Sequence, residues 1–131
     1  MRNRAAFRSE RGQSLTEFAL VLPLLMLVLF GIIQFGIVFN NYISLTDAVR
    51  SGARKAATSR NLPDPPGATI AQVRKAASEL KPADLQVTVE STWVPLEDVR
   101  VSASYPYKIN LLGLVVASGT MTSTTIERVE P

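Results

Sequence analysis

The chain has 131 residues, 47% hydrophobic and 19% charged, and its 14 Lys and Arg against 11 Asp and Glu give a formal charge of +3. That length suits one small domain. With neither cysteine nor histidine, disulfides, cysteine nucleophiles, thiolate or imidazole metal sites and the commonest general base near neutral pH are excluded.

The sequence pI of about 9.6 raises the question of a nucleic-acid partner, and the positions of the charges answer it. Residues 1–12 hold Arg2, Arg4, Arg8 and Arg11 against the single acid Glu10. Next comes QSLTEF, in which Ser14 through Glu17 match the S-x-x-E capping box. In that motif Ser14 would accept from the Glu17 N–H and Glu17 would reach back to the Ser14 N–H.

From Phe18 through Thr46 no residue is charged, and within Phe18–Phe39 only Gln34 is polar. A bilayer core of about 30 Å needs about 20 apolar helical residues, so this segment is long enough to span. A soluble core helix would show a polar face, and none is present. A cleaved secretory signal would have an apolar region of only about 7 to 15 residues followed by a small-x-small site. NNYISLTD follows instead, so the segment reads as a retained anchor. Past it, Leu45, Val49, Gly52, Ala53 and Ala56 fall on one helical face and Asp47, Arg50 and Arg54 on another. A single helix from about Leu15 to about Thr58 would be on the order of 65 Å long. Pro23 would kink it or leave the Ala19 carbonyl without its usual partner.

NLPDPPGAT ends the helix and forms a linker. Thr69 is the expected cap of a short helix reaching about Leu80, with Ile70, Val73, Ala77 and Leu80 as its apolar stripe. Then the period becomes two: Leu85, Val87 and Val89 alternate with Gln86, Thr88 and Glu90, and Val99, Val101, Ala103 and Tyr105 with Arg100, Ser102 and Ser104. TMTSTTIERV supplies a third strand. LLGLVVA, residues 111–117, is too short to span and is expected as a buried loop or helix-like turn against the sheet. Trp93, Tyr105 and Tyr107 are expected to pack in the core or hairpin. The expected fold class is α+β: a long amino-terminal membrane-spanning helix, a short helix and a small three-stranded antiparallel sheet. The expected divisions are residues 1–12 as a leader, 13–60 as the long helix, in the membrane to about 39–41, 61–68 as a linker, and 69–131 as a small domain.

The most specific signal is the junction itself. A basic leader ending in Gly12, followed by Gln13, Ser14, Leu15, Thr16, Glu17, Phe18 and a long apolar helix, resembles the prepilin class of substrates. In that class a membrane prepilin peptidase cuts after the glycine and a glutamate is the fifth mature residue. The fuller string GQSLTEFALVLPLLMLVLFGIIQFG, with AVRSGARKAA, is similar to the TadE-like proteins of the tight-adherence (Flp) pilus system. The resemblance implies cleavage between Gly12 and Gln13, with Glu17 as the assembly glutamate. It implies a minor pilin or pseudopilin serving pilus biogenesis and surface adhesion from a single-pass position in a bacterial inner or cytoplasmic membrane, with an extracytoplasmic carboxy-terminal domain. The implied partners are membrane lipid, other pilins or the pilus assembly platform, and the prepilin peptidase.

No nucleic acid, small-molecule substrate, cofactor or metal is expected, nor enzyme activity. Asp84, Glu97 and Asp98 lie at turns or strand ends, where solvated surface is the default. Lys and Arg on the two flanks of the apolar segment balance, Arg2, Arg4, Arg8 and Arg11 against Arg50, Arg54, Lys55 and Arg60, so charge leaves orientation undecided. Arg50, Arg54 and Lys55 are read either as a headgroup-binding collar or as a solvated helix face. The competing function is an unprocessed single-pass anchor whose outer domain binds an envelope partner. Removing residues 1–12 would leave 10 basic and 10 acidic side chains, so the high pI belongs largely to the leader.

Overall fold

The computed structural model describes the backbone of residues 6–131 and side chains from Gly12 onward. Arg2 and Arg4 of the expected leader lie outside the described residues. The elements run α1 (Ala6–Ala57), α2 (Pro65–Ala76), β1 (Gln86–Glu90), β2 (Asp98–Leu111) and β3 (Leu114–Arg128). The architecture is α+β, with a long apolar helix, a short helix and an antiparallel sheet of order β1-β2-β3.

α1 is longer than its sequence signals suggested: it begins at Ala6 and passes through Ser14 and Pro23 to Ala57. At about 1.5 Å per residue its axis is roughly 78 Å long. Ser14 is therefore an interior helical residue and not an N-cap, because the first-turn donors it would satisfy already lie inside a helix. From Leu15 to Phe30 the large apolar side chains are exposed all round the helix, Leu20 at 75%, and from Ile32 to Phe39 all but the half-buried Val38 are exposed. That segment has no core of its own to enter.

The last turns of α1 behave differently. Leu45, Ala48, Val49, Ala53 and Ala56 are fully buried, while Asp47, Arg50 and Arg54 face outward, as the heptad-like spacing anticipated. The small residues let the other elements approach closely. A Cβ on Gly52 would run into the side chain of Val73 on α2, so glycine is required where the two helices touch.

α2 starts earlier than Thr69. Asp64 is its N-cap and accepts a hydrogen bond from the Gly67 N–H at 3.0 Å, with Pro65 and Pro66 opening the first turn. Proline fits there because its missing N–H would be unpaired in any case. Thr69, buried inside the helix, donates its hydroxyl to the Pro65 carbonyl at 2.9 Å. α2 ends at Ala76, short of the anticipated Leu80; of the anticipated stripe Val73, Ala77 and Leu80 are buried, the last two just past the helix, and Ile70 is half-buried.

In the sheet Val99, Val101, Ala103 and Tyr105 of β2 face the core, joined by Met121 from β3 and by Leu85 and Val129 from the flanking loops. Tyr105 pairs with Met121 in register. Trp93 and Tyr107 are partly buried against the same cluster, as their size led us to expect. The pairs Arg100–Glu90 and Arg128–Asp98, both at 3.9 Å, are exposed and contribute little.

Residues 111–117 depart from expectation. They form no buried loop: β2 and β3 continue to a two-residue turn at Leu112 and Gly113, where φ is +51° and +89°. Positive φ at both central positions is the requirement of a type I′ hairpin turn, whose twist matches the strands. Leu112, Leu114, Val115 and Val116 are exposed, Leu112 and Leu114 above 70%. A register shift at Ile109/Asn110 leaves Val116 as the extra residue of a bulge. The apolar run was correctly read as too short to span, but strand pairing, not burial, satisfies its backbone.

Gly52→Leu should destabilise the folded domain by about 1–3 kcal/mol through overpacking against Val73, whereas Gly36→Leu, where a Cβ meets nothing, should leave it unchanged. Thermal unfolding followed by the fluorescence of Trp93, the single tryptophan, measures the difference. Asp64→Ala should cost about 1 kcal/mol by removing the cap, read in the same experiment.

Candidate functional site: the amino-terminal junction

Gly12, Gln13 and Glu17 lie on consecutive turns of α1, all exposed. Gln13 donates from its side-chain amide to a Glu17 carboxylate oxygen at 3.0 Å, which the i, i+4 spacing permits. Thr16 donates its hydroxyl to the Gly12 carbonyl at 2.9 Å. Glu17 is thus held by the residue four before it and does not cap the helix. The capping motif matched the sequence but did not begin a helix, because helical turns precede it.

Gly12 has no packing requirement for glycine: a Cβ there would meet nothing within 4 Å. Glycine inside a helix costs about 1 kcal/mol relative to alanine. The position therefore loosens α1 where the apolar segment is about to begin, and the fold gains nothing in exchange. Among the described residues, one helix is long and apolar enough to cross a membrane, within Gly12–Ala57. Glu17 stands at the boundary of that segment, immediately before Phe18.

Other candidates from the sequence disperse. Glu97 and Asp98 sit at the start of β2, where Thr92 donates to Glu97 and Arg128 pairs with Asp98. Asp84 precedes β1, whose first residue pairs with Ser104, toward the other end of the sheet. The three carboxylates do not converge. Arg50, Arg54 and Lys55 are exposed in the last turns of α1. Arg50 lies near Asp47 at 4.0 Å, and Arg54 and Lys55 complement the negative end of the helix dipole. Measured along the helix from Phe39, the three are roughly 16 to 24 Å away, at least two screening lengths of about 8 Å at physiological salt.

The hydrogen bond from Gln13 to Glu17 was not anticipated from sequence, although the i, i+4 spacing was a signal for it. The bond matters because Gln13 would be the first residue after a cut at Gly12, which would place the new terminus and the glutamate on one side of the helix.

Comparison with known proteins adds one finding. A family model described as TadE-like protein matches residues 12–54, a stretch that opens on Gly12 and closes in the last turn of α1. No curated protein and no solved structure matched the chain. From the junction glycine to the end of the long helix, the chain is similar to TadE-like proteins, as the QSLTEF junction and the apolar helix led us to expect.

Proposed function

We propose that the chain is a noncatalytic, pilin-like component of a tight-adherence type IV-like pilus, a minor pilin or pseudopilin that supports pilus biogenesis and surface adhesion. It is anchored once in a bacterial cytoplasmic membrane by residues from about Phe18 to about 39–41, with the amino terminus cytoplasmic and the domain of residues 69–131 outside. The observation that carries this reading is the coincidence of three features at one point. The family match starts at Gly12, a Cβ at that glycine would meet none of the described atoms within 4 Å, and the helix that follows is apolar and largely exposed.

Processing would remove residues 1–12 by cutting the Gly12–Gln13 bond. The carbonyl of that bond lies within α1 and accepts the Thr16 hydroxyl. Attack on it requires the helix to unwind locally, and glycine lowers that cost by about 1 kcal/mol relative to alanine. The cut leaves an α-ammonium group on Gln13 at the start of the remaining helix, where unpaired N–H groups point. Glu17 lies one turn away, roughly 6 Å along the axis. In a filament the ammonium of one subunit and the Glu17 carboxylate of a neighbour attract across a nearly dry interface, each offsetting part of the other's desolvation. The bare apolar surface of α1 then packs against other pilin helices or the assembly platform.

Intact mass of the chain isolated from membranes with an active prepilin peptidase should show loss of residues 1–12. An unprocessed chain there would support the plain anchor with an outer binding domain instead. Gly12→Leu should reduce processing at least tenfold while leaving membrane insertion intact, read by mass and membrane fractionation. Glu17→Ala in the processed protein should abolish co-purification with partner pilins, and full retention would sink the charge-pairing role. A periplasm-active reporter fused after Pro131 should be active, and a stable but inactive fusion would reverse the orientation.

A further inference from the structure

We propose that the tip of the β2–β3 hairpin, Leu112 with Leu114 to Val116, dips into the outer leaflet beside α1 and gives the domain a second, shallow contact with the lipid surface. This rests on the single-pass reading above.

The main-chain N–H of Glu130, just beyond β3, donates to the carbonyl of Ala57 at 2.9 Å, so the end of β3 meets the end of α1 that lies farthest from the apolar segment. α2 runs back down α1: Gln72 donates to Ser51 at 2.9 Å, and farther along Glu79 accepts from Ser44 at 3.0 Å and Asn40 at 3.4 Å. Two residues on, the Lys81 N–H donates to the Tyr105 hydroxyl at 3.4 Å. The middle of β2 therefore stands near the level of Asn40 and Ser44, where α1 leaves the apolar segment. From Tyr105 the strand continues in the same direction to the turn.

The lengths place the turn below that level. From Val129 back to Leu114 the chain extends roughly 50 Å at strand rise, whereas from Ala57 back to Phe39 the helix descends only roughly 27 Å. Even inclined at about 45° to α1, the strand would project about 35 Å along its axis. Partial burial on α1 agrees. Gln34 is half-buried, and with Val38 and Asn41 it extends the face that buries Leu45 and Ala48.

The residues at the turn suit lipid better than water. The first position of a type I′ turn favours Asn or Asp, yet here an exposed leucine holds φ of +51°. Leu114 to Val116 are consecutive and all exposed, so both faces of the strand are apolar, a pattern with no wet side. Pairing between β2 and β3 satisfies the inward backbone groups of the tip. Its outer edges remain open and need water, which confines the tip to the headgroup–acyl boundary, about 5–10 Å deep, and forbids a crossing.

The absence of cysteine makes the test direct. Full-length Ile32→Cys, Leu114→Cys and Asn61→Cys chains are labelled with a nitrobenzoxadiazole fluorophore and reconstituted in phosphatidylcholine–phosphatidylglycerol vesicles, with acyl-brominated lipid and aqueous iodide as quenchers. Probes at positions 32 and 114 should be quenched by brominated lipid several-fold more than the probe at 61, which iodide alone should reach. Adding Leu112→Asn and Val115→Asp to Leu114→Cys should restore iodide access several-fold. A position 114 open to iodide, with 32 still in lipid, overturns the hairpin contact and leaves the anchor standing. If the probe at 32 also stays in water, the membrane reading itself fails. Protection of 114 from both quenchers means that a protein, such as a second copy of the chain, covers the tip, and this too overturns the proposal.

Discussion

The packing of the last turns of α1 into the angle between α2 and the sheet is the contact on which the rest depends. It is made with small side chains, Ala48, Ala53 and Ala56, and with Gly52 pressed against Val73. Close approach of this kind buries nearby apolar groups without large side chains and leaves little tolerance for added volume. Because the same helix continues unbroken into the apolar segment, this one interface fixes where the domain stands relative to everything before it. Among the described residues no charged side chain is buried in it, so it carries no cost of desolvating a charge.

The helix is consequently a single object in two solvents. Around Leu20 it has no preferred face, and beyond Leu45 it has a sharply defined one. The change occurs at Asn40, Asn41 and Ser44, where Glu79 from the turn after α2 meets Asn40 and Ser44. Polar side chains thus mark the passage from apolar surroundings to the domain core. At the other end Glu17 marks the opposite boundary, held by Gln13.

Much of this was legible in the sequence because periodicity survives folding. The stripe on α1 and the alternation in β2 were read from spacing and are buried as read, while Ile70 of the second stripe and Val87 and Val89 of β1 are half-buried. The failures share a cause: a local motif was weighed without the residues flanking it. Ser14 and Glu17 form a capping pattern, but the preceding turns are already helical, so no helix begins there. Thr69 is a good cap residue, but Asp64 ahead of two prolines is a better one. For LLGLVVA the apolar composition suggested burial, while Gly113 near its start was the local signal for a turn. At the junction, Gly12 and Glu17 were visible as a motif, but the bond from Gln13 depends on a rotamer that spacing permits and does not dictate.

The parallel arrangement of α1 with β3, joined where Glu130 meets Ala57, has a mechanical consequence. A pull along the helix axis, of the kind exerted when a subunit is drawn out of a bilayer, loads the helix–sheet interface in shear. All the contacts along that interface must then yield together and cannot open one after another from an end. The domain would follow its anchor as a rigid load.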